Sequence, residues 1–138
     1  MTARNVVMLD LAGVAIPETV DGRSLAAHLR GEQVTQWREH LHGEHVLLGQ
    51  SLQWVTDGKR KYVWMSGWGD EQFFDLEVDP QETRNLVHDP TRADEVRQWR
   101  QKLVQDLSDR EEGFVADGEL VAGQPVVTEL SQAPIWSS

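Results

Sequence analysis

The sequence predicts an α+β fold: a four-stranded antiparallel sheet, a C-terminal helix on one face, and two short helices ahead of the sheet. Three observations carry this. Four runs rich in β-branched and aromatic residues, 42–48, 52–56, 60–65 and 72–76, follow one another with only turns between them. Asp57-Gly58 is a strong hairpin signal, and Gly49-Gln50 and the glycine loop Ser66-Gly67-Trp68-Gly69-Asp70 separate the remaining runs. Beyond them, Val96, Trp99, Leu103 and Leu107 recur at spacings of three and four, the period of a helix with one apolar side.

The elements follow in order. Val6, Val7, Leu9, Leu11, Ala12 and Val14 make a short apolar stretch closed by Gly13 and then Pro17, a helix-stop signal. Its start has little cap, so a preceding segment is expected. Ser24 is a candidate N-cap for a second helix through Leu25, Ala26, His28 and Leu29, which Gly31 ends. After the sheet, Asp89-Pro90 supplies an N-cap and an N1 proline, so a helix is expected over 91–110. A second Asp-Gly pair, Asp117-Gly118, predicts a small hairpin before a tail that holds Pro125 and Pro134. A single domain over 1–138 is therefore expected: helices and linker at 1–40, sheet at 41–78, connector and helix at 79–112, hairpin and tail at 113–138.

Composition sets outer bounds. A chain of 138 residues, 39% hydrophobic and 26% charged, has the profile of one folded domain and not of a disordered segment. The formal charge of −10 opposes binding to nucleic acid, because phosphate affinity comes from clustered Lys and Arg. The longest basic run, Lys59-Arg60-Lys61, reads as a hairpin tip. With no cysteine there is neither a disulfide nor a thiolate nucleophile. Apolar Val6, Val7 and Leu9 are cut off by Asp10, short of the roughly 7–15 apolar residues of a signal sequence. No run approaches the roughly 20 apolar residues that span a bilayer. A soluble chain without a visible address is expected, and the compartment is not encoded.

The stretch Phe73-Phe74-Asp75-Leu76-Glu77-Val78-Asp79-Pro80-Gln81-Glu82-Thr83-Arg84-Asn85-Leu86 resembles the segment near the C-terminus of sulfatases, of the arylsulfatase-like kind, that leads from the last strand of a small sheet into the final helix. Upstream pieces agree in the family's order: Leu9-Asp10-Leu11-Ala12-Gly13-Val14, Pro17, Asp21-Gly22-Arg23-Ser24-Leu25, Thr56-Asp57-Gly58 and Lys61-Tyr62-Val63-Trp64. The likeness covers residues 6–86. In physical terms Asp79-Pro80 stops a strand and the polar residues after it turn the chain, so the motif reads as a connector that positions the final helix.

The resemblance implies a sulfuric ester hydrolase whose chemistry lies elsewhere. Sulfatases use a formylglycine made from Cys or Ser in Cys/Ser-x-Pro-x-Arg, beside a calcium held by acidic side chains, all in the N-terminal half. Here the residues two before the prolines are Ala15, Val78, His88, Gly123 and Gln132, and none can become formylglycine. No catalytic residue, metal ligand or cofactor is therefore expected in this chain, which should be inactive alone. The expected partner is a sulfatase catalytic N-terminal subdomain, covalent or separate. An alternative is a stand-alone, non-catalytic binding module that reuses the same fold. Which sulfate, phosphonate or phosphate ester a parent enzyme takes is not encoded here.

Four residues stand out as candidate substrate contacts: His42, Glu44, His45 and Trp68. His40-Leu41-His42-Gly43-Glu44-His45 resembles a His-Gly-Glu-His segment that some sulfatases carry on the first strand of the small sheet, facing the cleft between subdomains. By that resemblance His42 or His45 would give a hydrogen bond or a positive charge to a sulfated substrate. Solvated or packing histidines are a second reading. A third makes His40, His42 and His45 metal ligands, which needs a bulge at Gly43, because on an ideal strand His45 points away from the other two. Among the six tryptophans, Trp54, Trp64 and Trp99 are expected in the core and Trp68 at the surface.

Overall fold

The computed structural model describes residues 3–17, 20, 22–34, 37–47 and 49–126. The chain divides into two compact units, Met1–Arg38 and Glu39–Ser138. The first holds helices α1 (Ala3–Leu11) and α2 (Ala26–Leu29), which touch each other. Both helices end on a glycine at positive φ, Gly13 at 68° and Gly31 at 73°, a backbone that a Cβ would disfavour. Val6 and Ala26 are fully buried, and His28 stands edge-on to Trp37 with ring centroids 4.5 Å apart.

The second unit is built on a four-stranded antiparallel meander, β1 (Leu41–Leu47), β2 (Gln50–Thr56), β3 (Arg60–Met65) and β4 (Glu71–Asp75), in sequential order. Each strand falls within two residues of its expected place, β2 beginning at Gln50 and not at Leu52. Residue 48 lies outside the described residues. The expected helix is shorter than 91–110, and its first turn differs. The Asp89 carboxylate accepts from both the Thr91 N–H and the Thr91 hydroxyl, and this tightens Pro90–Arg92 into a 3-10 turn before α3 (Ala93–Leu107) begins. A two-residue hairpin, β5 (Val115–Ala116) and β6 (Glu119–Leu120), closes the unit around Asp117-Gly118. The rest of the tail, residues 127–138, lies outside the described residues.

Pairing sets which side chains face α3. Val55 lies opposite Tyr62, Tyr62 opposite Phe73, and Gln53 opposite Trp64. Those aromatics join Val96, Trp99, Leu103, Leu107 and Phe114 in one buried cluster. Phe114 meets Trp64 edge-on at 5.6 Å, which brings the start of the small hairpin onto the same core.

Strand β2 inverts the naive reading of its alternation. Its buried positions are Ser51, Gln53 and Val55, whereas Leu52, Trp54 and Thr56 are half-buried on the opposite face. Trp54 is therefore not part of the cluster that holds Trp64 and Trp99. The register places it across from Gly43, and a Cβ at residue 43 would overlap the indole ring. Glycine leaves room for that ring against β1, and the Lys61 ammonium lies over the indole, 5.7 Å from its centroid.

Two charged clamps fix α3 to the sheet. In the first, Arg60 Nη1 donates to Asp75 Oδ1 (2.8 Å) and Arg60 Nε to Glu95 Oε1 (2.8 Å). Arg92 reaches the other oxygens of the same two carboxylates, Asp75 Oδ2 at 3.0 Å and Glu95 Oε2 at 2.8 Å, closing a ring of alternating charge. In the second, Arg100 grips both oxygens of Glu71 (2.7 and 2.6 Å), and the Tyr62 hydroxyl donates to the same carboxylate (2.7 Å). Burial works against ionisation of Glu71, but the bonds from Arg100 and Tyr62 outweigh it and hold the carboxyl below its ordinary 4.5. Burial, reinforced by the bond to Glu71, pushes the Tyr62 phenol far above its ordinary range. Of the basic run 59–61, only Lys59 remains at the tip. Arg60 closes the ring, and Lys61 binds both oxygens of Glu82.

The connector after β4 is held by its own polar side chains. Asp79 accepts from the Arg84 N–H (2.8 Å) and the Thr83 hydroxyl (3.1 Å). Asn85 Oδ1 accepts from the N–H of Phe73 and of Val87, and its amide donates to the Glu71 carbonyl, clipping the chain to the free edge of β4. Leu86 adds a backbone bond to the Phe73 carbonyl at 2.8 Å.

Two predictions follow from the clamps. Replacing Asp75, whose side chain is 6% exposed, leaves Arg60 and Arg92 facing each other. Asp75→Ala should cost about 3 kcal/mol in urea unfolding. Arg97→Ala breaks only an exposed pair with Asp94, so it should cost less than about 0.5 kcal/mol. For Glu71, the folded carboxyl lies below its unfolded value, so its contribution is present above 4.5 and is lost as pH falls through the folded value. Stability measured from neutral pH downward should drop below that range. Glu71→Gln should be less stable at pH 7 and show a shallower acid limb; an unchanged limb would remove Glu71 from the account.

Candidate functional site

The four residues singled out from the sequence do not converge on one point. His42 and Glu44 lie on the face of β1 that α3 covers, while His45 lies on the opposite face and is exposed. Trp68 sits in the β3–β4 loop, 70% exposed. Among the described residues, neither His45 nor Trp68 makes a side-chain hydrogen bond, ion pair or ring contact.

His42 and Glu44 are joined through a residue that the sequence reading passed over. Gln53 is fully buried, and its carbonyl oxygen lies 2.6 Å from His42 Nε2. Its amide nitrogen reaches Glu44 Oε2 at 3.2 Å and the Ser51 hydroxyl. Glu44 is held in turn by Arg110 Nη2 at 2.8 Å, and the same nitrogen binds Glu112. The bond from Arg110 holds the Glu112 carboxyl below its ordinary value. The result is a polar chain, Arg110–Glu44–Gln53–His42, that runs from the end of α3 into the sheet. One signal could have found it: a glutamine between Leu52 and Trp54 must face one side of the sheet alone.

His40 precedes β1 and binds Asp106 of α3 through Nε2 at 2.9 Å, while its Nδ1 is buried without a partner. The three histidines are thus separately committed or separately placed. Among the described residues no three His, Asp or Glu side chains gather as a metal site would require. The buried and half-buried carboxylates Glu71, Asp75, Glu95 and Glu112 are bonded to arginines, an arrangement that does not fit a hard cation needing six to eight oxygen ligands.

A cleft of about 400 Å³ opens beside the β3–β4 loop, lined by Met65, Gly69, Asp70, Glu71, Gln72, Asn85 and His88. Several contacts fix this end of the sheet. The Ser51 N–H donates to the Ser66 hydroxyl, the Gln50 side chain lies against Gly67, and the Gly123 N–H donates to the Ser66 carbonyl at 2.7 Å. Trp68 therefore projects from a braced loop, next to a polar cleft. Asp70, Asn85 and His88 were not singled out from the sequence, because strand β4 separates them and only the fold brings them together. Among the described residues, no helix is long and apolar enough to cross a membrane.

Comparison with known proteins places this architecture. The family described as N-sulphoglucosamine sulphohydrolase, C-terminal, matches residues 3–109. An arylsulfatase from Clostridium perfringens is 38% identical over 121 residues, covering 88% of this chain and 25% of that protein. A Delta 4,5-hexuronate-2-O-sulfatase from Bacteroides thetaiotaomicron is 33% identical over 91 residues, covering 60% of this chain and 18% of the relative. The solved structure of a 2-O GAG sulfatase superposes with a TM-score of 0.70 at 27% identity, over 78% of this chain and 24% of that one. The chain thus spans about a quarter or less of the length of the relatives it matches. It belongs to the sulfatase family, as a sulfatase C-terminal domain.

Proposed function

We propose that this domain is the C-terminal portion of a sulfuric ester hydrolase, supplying structure and one wall of the substrate cleft, while the nucleophile and the calcium site belong to a catalytic N-terminal subdomain. The observation that carries the reading is the extent of the match: the family's C-terminal region accounts for residues 3–109, and the relatives are about four times longer. Chemistry of the residues agrees with it. No proline here is preceded two positions earlier by Cys or Ser. The buried and half-buried carboxylates Glu71, Asp75, Glu95 and Glu112 are bonded to arginines.

The wall is assigned to the edge strand β1, whose opposite faces carry His42 and His45, and to the exposed Trp68 on the braced loop. An exposed indole offers a flat apolar face to a sugar ring, and imidazoles offer hydrogen bonds to its substituents. The curated and structural relatives include sulfatases that act on a hexuronate 2-O-sulfate and on a 2-O GAG sulfate, so a sulfated saccharide is the substrate class proposed.

The purified chain should show no turnover of 4-nitrophenyl sulfate above buffer, with or without calcium. Joined to a sulfatase catalytic subdomain in one polypeptide, it should support turnover. In that enzyme Trp68→Ala should raise KM for a sulfated saccharide about tenfold, as loss of one stacking contact of roughly 1–2 kcal/mol would. Calcium-dependent hydrolysis by the chain alone would contradict the reading, as would unchanged kinetics on replacing Trp68 and His45 together.

A further inference from the structure

We infer that Gln53 fixes His42 as its Nε2–H tautomer, so that the open Nδ1 offers a lone pair to a hydroxyl of the ligand and gives no proton to a sulfate oxygen. This rests on the reading of β1 as part of the cleft wall, and it names the group on the ligand that His42 would meet.

An ionised carboxylate only accepts hydrogen bonds, and Glu44 is bonded to the Arg110 guanidinium at 2.8 Å. The Gln53 nitrogen 3.2 Å from Glu44 Oε2 must therefore be its amide donor. That leaves the Gln53 carbonyl oxygen facing His42 Nε2 at 2.6 Å, and a carbonyl oxygen also only accepts. His42 Nε2 must then carry the hydrogen. In a neutral imidazole the other nitrogen holds the lone pair. Because Gln53 is fully buried, no water competes for its amide, and the orientation is set by the side chains bonded to it. Ser51 does not oppose this orientation, since its hydroxyl can accept from the amide or donate to it.

What makes His42 the histidine of interest is its second nitrogen. In His40 that atom is buried, whereas the His42 Nδ1 is neither buried nor hydrogen-bonded among the described residues. Among the described residues, His45 has no partner to choose its tautomer. His42 is thus the one imidazole of the strand that is oriented from behind and open in front. Such an acceptor discriminates: it suits a sugar hydroxyl and repels the oxygens of a sulfate.

The test reads the imidazole itself, without substrate, so it can fail independently of the kinetics that test the cleft wall. Long-range nitrogen–proton NMR of the full chain in alkaline buffer should show the His42 Nδ1 at the lone-pair position and Nε2 at the protonated position. Glu44→Lys replaces the acceptor with a donor, so the Gln53 amide should turn over and the two His42 nitrogens should exchange positions. Gln53→Met removes the constraint and should give a mixture. Should that variant fail to fold, Glu44→Lys, at an exposed residue, still decides the matter. Titration with sodium sulfate should leave the His42 nitrogens of the native chain unmoved. A native Nδ1–H tautomer, a tautomer ratio unaltered by Glu44→Lys, or a saturable shift with sulfate would each overturn the inference.

Discussion

The closed ring of Arg60, Asp75, Arg92 and Glu95 is the constraint on which the larger unit turns. It joins the start of β3, the end of β4 and the entrance to α3 at one point, and its centre, Asp75, is almost wholly out of solvent. A charge in that position is tolerable only because two guanidiniums share it, each with a second carboxylate to balance it. Once α3 is anchored there, and again at the other end of β4 by Arg100 on Glu71, its apolar side must lie across Val55, Tyr62, Trp64 and Phe73. The apolar cluster supplies the bulk of the stabilisation and the two clamps supply its direction.

This division explains why the most recognisable stretch of the sequence does little at the surface. Asp75 is the hub of the ring, Asp79 holds a turn, Glu82 binds Lys61, and Asn85 ties the connector to the β4 edge. The polar residues that mark the family in this stretch are bonds within the fold. Features left open lie elsewhere, on β1 and the β3–β4 loop. There the protein keeps a glutamine in its interior, a placement that costs stability unless every polar atom of the amide is satisfied. His42, Glu44 and Ser51 satisfy Gln53, and the arrangement gives one imidazole a defined orientation.

Much of this was legible in the sequence, and the parts that were not share a cause. The meander could be read from Asp57-Gly58 and the glycine loop, and α3 from Asp89-Pro90 and its apolar period, because each signal is local. The opposite facing of His42 and His45 follows from the period of a strand. Register is not local. Leu52 and Trp54 look like inward residues of β2, yet pairing with Gly43 and Val63 sends Trp54 to the other face and turns Gln53 inward. The same gap hid Arg110 as the partner of Glu44, 66 positions away, and the meeting of Asp70, Asn85 and His88 around one cleft. The pattern of the sheet and helix was in the sequence; the partners across it were not.

A double-mutant cycle between Asp75 and Arg92 measures whether the ring directs α3, with urea unfolding of the native chain, each Ala variant and the pair. If the ring directs the docking of α3, the two residues should be coupled by about 1.5 kcal/mol or more, because removing either one opens the ring and takes from the other one of its two partners. A coupling within about 0.3–0.5 kcal/mol of zero, the range of independent sites, would show that α3 is held by its apolar face alone and would contradict the account.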